Sequence, residues 1–153
     1  MKVLALGGSG GMGRFAVETA MHFDNIEHIL VADINETSAL TFAESMNEKV
    51  SGIGLDITNT EKLKEIMRSV DVVINTVGPF FKFGPPVLEA AIECNCHYLD
   101  INDDWEPTVE MLKYHDDASK KGVTAILGMG ASPGLTNMLG AAAIKELDEV
   151  ETL

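Results

Sequence analysis

Six short runs rich in Val, Ile and Leu recur along this chain, separated by stretches of helical length with amphipathic spacing. Several of the runs are apolar from end to end rather than alternating, as strands covered by helices on both faces must be. That restricts the fold to an α/β class in which crossover helices sit on both sides of a parallel sheet. The strands fall at Lys2–Gly7, His28–Asp33, Lys49–Leu55, Asp71–Thr76, His97–Asp100 and Val123–Leu127. Helices are predicted near Gly11–Met21, Glu36–Met46, Thr60–Ser69, Pro85–Glu93 and Trp105–Lys120, with another at Gly134–Leu147 opened by Pro133 and Thr136-Asn137. Right-handed crossovers then give a doubly wound parallel sheet in the order 3-2-1-4-5-6. A length of 153 residues suits one such domain, and neither low-complexity tracts nor repeats interrupt it.

The first strand runs directly into Gly7-Gly8-Ser9-Gly10-Gly11-Met12-Gly13-Arg14. Gly8, Gly10 and Gly13 satisfy G-x-G-x-x-G, with a strand before them and a helix after, the setting of the dinucleotide-binding Rossmann fold. Gly8 is expected to permit the tight turn, Gly10 to let backbone approach a pyrophosphate, and Gly13 to let helix and strand pack closely. Ser9, Gly11 and Met12 complete the loop. The helix N-terminus offers free N–H groups and a positive dipole end, so phosphates can be held without a lysine. That suits a chain with 11 Lys+Arg against 24 Asp+Glu and a net charge of −13. So acidic a surface repels nucleic acid and anionic membranes, which leaves small molecules or proteins as partners.

Asp33 closes the second strand about 20 residues beyond the last glycine, where a carboxylate reaches the hydroxyls of an adenosine ribose. Its charge opposes a 2′-phosphate, and no Arg or Lys follows in Ile34-Asn35-Glu36, so the cofactor expected is NAD in preference to NADP. Asp56-Ile57, after the third strand, stands where the adenine edge is met, though Asp56 could equally cap the helix near Thr60. The fourth strand ends in Asn75-Thr76-Val77-Gly78-Pro79, at the switch point where the nicotinamide half belongs. Phe80, Phe81 and Phe83 follow as a loop that either packs the core or lines a pocket.

Other classes find little support. No apolar run approaches the roughly 20 residues of a membrane span, and the N-terminus does not read as a signal peptide, so a cytosolic protein is expected. Cys94 and Cys96 are too close for an easy disulfide, and Cys94-Asn95-Cys96-His97 lacks the spacing of a zinc site; no metal is expected. A short-chain dehydrogenase needs Tyr-x-x-x-Lys, but Asn102 and Ala118 stand four residues beyond Tyr98 and Tyr114. A non-catalytic nucleotide-sensing module of that kind remains the alternative reading.

Three segments carry a family resemblance: Val73–Phe80, Tyr98-Leu99-Asp100 and Gly130-Ala131-Ser132-Pro133-Gly134-Leu135-Thr136-Asn137. With the glycine loop they resemble the cofactor-binding portion of the saccharopine dehydrogenase-like family. The resemblance implies an oxidoreductase that moves a hydride at a C–N bond of an amino acid or polyamine, with NAD, or else NADP, as cofactor. It also implies a division into residues 1–148, the cofactor domain, and 149–153, the start of a second domain that binds substrate and forms a homodimer. Val150–Leu153 would be that domain's first strand. The candidates for proton transfer are His97, Tyr98, Asp100 and the pair Asp103-Asp104, of which His97 begins its strand and faces the wrong edge. Asp100 lies at the right one, as a catalytic group or as a cap for the helix near Trp105.

Overall fold

The computed structural model describes residues 1–152. Its strands are β1 (Lys2–Leu6), β2 (His28–Asp33), β3 (Val50–Gly54), β4 (Val72–Asn75), β5 (His97–Asp100) and β6 (Ala125–Ile126). All pairings are parallel, in the order β3-β2-β1-β4-β5-β6. The helices are α1 (Gly11–Ala20), α2 (Glu36–Glu44), α3 (Thr60–Met67), α4 (Phe80–Glu93), α5 (Trp105–Leu112), α6 (His115–Lys121) and α7 (Thr136–Ile144).

β1 shows why its sequence is apolar throughout. Val3 and Ala5 face one side, packed with Val17 of α1 and with Ala39 and Phe42 of α2. Leu4 and Leu6 face the other, packed in the cluster that holds Leu63, Met67, Leu88 and Tyr98. Leu4 and Leu6 are fully buried and contribute about 2 kcal/mol each. The two sides are unequal across the sheet. α1 and α2 cover β1–β3, whereas on the same side Val72, Ile74 and Leu99 are only partly buried and Ile126 is 41% exposed.

Several boundaries differ from the sequence-based expectation. α4 begins at Phe80, so the expected Phe80–Phe83 loop is its first turn. Pro85 and Pro86 remove two N–H groups whose helical acceptors would be Phe81 and Lys82, both exposed and open to water. The single helix expected over Trp105–Lys120 is two, because Lys113 and Tyr114 bond three residues back, to Glu110 and Met111, and Tyr114 turns onto the core. β6 is shorter than Val123–Leu127, paired only at Tyr98↔Ala125 and Leu99↔Ile126. Ala131–Leu135 forms a kinked turn with Ser132 extended, leading into α7. Val150–Thr152 form no strand, and Leu153 lies outside the described residues.

Candidate functional site

The glycine loop is built from backbone contacts that exclude side chains. Gly7 takes the left-handed conformation, φ +68°, with its N–H on the Ala32 carbonyl at 2.9 Å. The turn assigned to Gly8 therefore belongs to Gly7. Gly8 is required for another reason: a Cβ there would lie 2.8 Å from the Ala5 carbonyl. A Cβ on Gly13 would lie 2.2 Å from the Gly7 carbonyl, so the close approach of α1 to the loop depends on this residue. Gly10 has only the Gly7 carbonyl near its missing Cβ, at 3.1 Å, and Gly11 has nothing within 4 Å, so both present open backbone. Met12 is exposed beside them. No side chain caps α1 at Gly10, which leaves its first N–H groups available to an anion.

At the neighbouring strand end Ser9 is buried and donates its hydroxyl to Asp33 Oδ2 at 2.6 Å. The other oxygen, Oδ1, accepts from the Asn35 N–H at 3.1 Å. Asp33 is thus fixed beside the loop, half-buried at the carboxyl end of β2. Asp56 is exposed and shapes its own turn, accepting from the Thr58 hydroxyl at 2.7 Å and amide at 2.9 Å. These donors hold its carboxyl below the usual carboxylate range. The cap of α3 is Asn59, not Asp56: its Oδ1 accepts from the Lys62 N–H at 3.2 Å. Ile57 packs against the core.

Thr76 ties the end of β4 to the glycine loop. Its hydroxyl reaches the carbonyls of Leu6 at 2.8 Å and Gly7 at 3.2 Å. Beyond it Val77 is half-buried, while Gly78 and Pro79 are exposed and Gly78 has no atom near its missing Cβ. Asn75 departs from its expected role. It is fully buried, with Oδ1 accepting from Val77 N–H at 3.0 Å and Nδ2 donating to the Tyr98 hydroxyl at 3.0 Å, so its side chain is used inside the fold. Phe80 is core, whereas Phe81 is exposed.

Asp100 is neither an open acid nor a helix cap. Buried to 1% exposure, it accepts from Tyr98 Oη at 3.0 Å on Oδ2, and on Oδ1 from the N–H of Asn102 at 3.1 Å and of Gly128 at 2.7 Å. Burial raises its carboxyl above the usual range, opposed by those two N–H donors and by the Tyr98 hydroxyl. Burial also pushes the Tyr98 phenol up, with the nearby Asp100 charge adding to the effect. Asp100 therefore pins the loop after β6 to the end of β5. The α5 start is organised by Asn102, which accepts from Asp104 N–H at 3.0 Å and donates to Thr108 Oγ1 at 2.7 Å. His97 is exposed at the opposite edge, as expected, with Nδ1 accepting from Thr124 N–H at 3.0 Å. Burial pushes the Cys96 thiol up to about 12, which removes it as a nucleophile.

Sequence reasoning names Tyr98 as a proton-transfer candidate but misses its buried bonds to Asn75 and Asp100, and it misses Asn102, Gly128 and Arg14 altogether. A usable signal for that buried link exists: Asn75 pairs with Asp100 across β4 and β5, so with Tyr98 three polar groups share one buried face. A cleft of about 600 Å3 lies elsewhere, along β6 between Leu88, Met111 and Ala118.

A backbone cradle without side chains, a bare helix N-terminus and a carboxylate at the end of β2 fit the pyrophosphate and ribose of a nicotinamide dinucleotide. Fold and site together define a dinucleotide-binding domain of the Rossmann type. Residues 3–126 match the family described as the saccharopine dehydrogenase NADP-binding domain, and the chain belongs to that family. The bovine (Bos taurus) saccharopine dehydrogenase-like oxidoreductase is 38% identical over 89 residues, which are 56% of this chain and 20% of that protein. A carboxyaminopropylagmatine dehydrogenase of Synechocystis is 27% identical over 95% of this chain and 39% of its own. The solved saccharopine dehydrogenase (L-Glu forming) of Saccharomyces cerevisiae has the same fold, with a TM-score of 0.80 at 24% identity over 95% of this chain and 31% of that one. The chain thus spans between 20% and 39% of the length of these proteins. The family's description names NADP, which corrects the preference for NAD drawn from Asp33 and the residues just after it.

Proposed function

We propose that this chain holds the cofactor of an oxidoreductase that moves a hydride between a nicotinamide and a carbon bearing nitrogen, in an amino acid or polyamine. The observation that carries the reading is the bare α1 N-terminus placed by Gly13 beside the Ser9–Asp33 pair. The name of the Synechocystis relative, a dehydrogenase of an agmatine derivative, supports a substrate with a C–N bond. The bound dinucleotide supplies the hydride chemistry. The chain's own residues orient it: the glycine loop receives the pyrophosphate, Asp33 the adenosine ribose, and the Thr76–Pro79 edge the nicotinamide end. Asp100 acts by holding the Gly128 loop at that edge rather than by exchanging protons with substrate. We also propose a cytosolic protein whose second domain binds substrate and pairs two copies; the exposed apolar residues of α7 support such a domain. Calorimetry with NADH and NADPH tests the cofactor reading, which predicts saturable heat with at least one of them. No heat with either at millimolar concentration would remove it.

A further inference from the structure

Arg14, the residue after the last glycine of the loop, is exposed, yet its head group is held. Nε donates to the Ser9 carbonyl at 2.7 Å. The guanidinium lies over the ring of Phe42, 4.9 Å from its centroid, and Phe42 is buried among the residues of α1 and α2. Among the described residues Arg14 has no carboxylate partner, although the chain carries 24 Asp+Glu against 11 Lys+Arg. In so acidic a chain an arginine anchored at Nε and stacked on an aromatic face keeps its Nη donors in a fixed plane for an anion that is not part of the protein.

Its location identifies that anion. Ser9 anchors Arg14 through its carbonyl and Asp33 through its hydroxyl, so guanidinium and carboxylate flank one residue at the ribose end of the cleft. The group that distinguishes NADP from NAD is a phosphate on the 2′-oxygen of that ribose. We propose that Arg14 is the specificity-determining residue that receives this 2′-phosphate, and that the site accepts both dinucleotides, Asp33 serving the free 2′-hydroxyl and Arg14 the phosphate. Two donors already on Asp33, from Ser9 and Asn35, offset the charge that would otherwise meet the phosphate. The inference rests on the dinucleotide reading above, and it supplies from α1 the cation that the residues after β2 lack.

The test is fluorescence titration of the whole chain with NADH and NADPH, alongside 2′,5′-ADP and 5′-ADP as probes without nicotinamide. Arg14→Gln, at an exposed position, is expected to weaken NADPH and 2′,5′-ADP about 10-fold or more, the size of one lost charge-assisted contact, and NADH and 5′-ADP less than about 3-fold. Asp33→Asn is expected to act in the opposite sense, weakening NADH and strengthening NADPH. Equal losses for all four ligands in Arg14→Gln, or no loss, would overturn the role of Arg14 while leaving dinucleotide binding intact. If the unmodified chain binds none of the four, the dinucleotide reading falls and this inference falls with it.

Discussion

At the glycine loop backbone comes so close to backbone that side chains are shut out, while along α7 the chain carries its apolar side chains on the outside. Between Leu6 and Arg14 the spacing is set by carbonyls 2.2–3.1 Å from where a Cβ would stand at Gly8, Gly10 or Gly13. Between Ala131 and Ile144 no residue is buried, and Leu135, Met138 and Leu139 are more than half exposed. One region is complete within its own contacts; the other has the composition of a packed helix without the packing. Good helix formers and an apolar surface produce α7, but only burial would convert that surface into stability.

The contrast can be broken experimentally, most sharply at Gly13. Gly13→Ala places a methyl group against fixed backbone and is expected to cost about 3 kcal/mol or more, read from urea unfolding. A loss under 1 kcal/mol would show that α1 can shift, and that the loop is not rigid. Next comes the buried clamp on the loop after β6. Asp100→Ala strips acceptors from Gly128, Asn102 and Tyr98 and should cost about 2 to 3 kcal/mol, whereas Asp100→Asn keeps an acceptor for the two amides and should cost about 1 kcal/mol.

These two variants also separate by pH. Burial raises Asp100 in the folded protein, so its contribution to stability is fully present below the unfolded carboxyl's pKa and is lost as pH rises through the raised folded value. Asp100→Asn lacks that limb, and the gap between it and the unmodified protein should narrow from acid to neutral pH in a series of urea titrations. A gap that widens instead would mean that the carboxylate is stabilised by its donors more than it is penalised by burial. The smallest effect is expected at α7. Leu139→Glu should change stability by no more than about 0.5 kcal/mol, because its side chain meets solvent. A loss above about 1.5 kcal/mol would place α7 against a partner surface and erase the contrast.

The same contrast governs what could be read in the sequence. The sheet order, the helix positions and the glycine loop follow from local periodicity and steric exclusion, which are written in adjacent residues. A carboxyl at a strand's carboxyl edge looks available in the sequence, whereas Asp100 is bonded by Tyr98, by the amide of Asn102 and by that of Gly128, which arrives from the loop after β6. The turn expected at Gly8 falls to Gly7 because G-x-G-x-x-G counts glycines without giving their φ. Arg14 lies outside the segment just after Asp33 where the sequence leads one to expect a 2′-phosphate partner. The cation comes instead from a helix that precedes it in the chain and is brought near through Ser9. The Phe80–Phe83 stretch read as a loop since Pro85 and Pro86 look like a helix start, yet prolines in a second turn are tolerated where the orphaned carbonyls meet water.

Thr76 has a consequence for how a ligand would be met. Its one hydroxyl touches both the last residue of β1 and the first glycine of the loop, and its own N–H bonds the Leu6 carbonyl at 3.0 Å. The edge expected to meet the nicotinamide and the loop expected to meet the pyrophosphate are therefore fastened to each other through one side chain. A long, many-jointed molecule laid along them finds its landing points already spaced, and the ordering cost falls on the visitor rather than on the host.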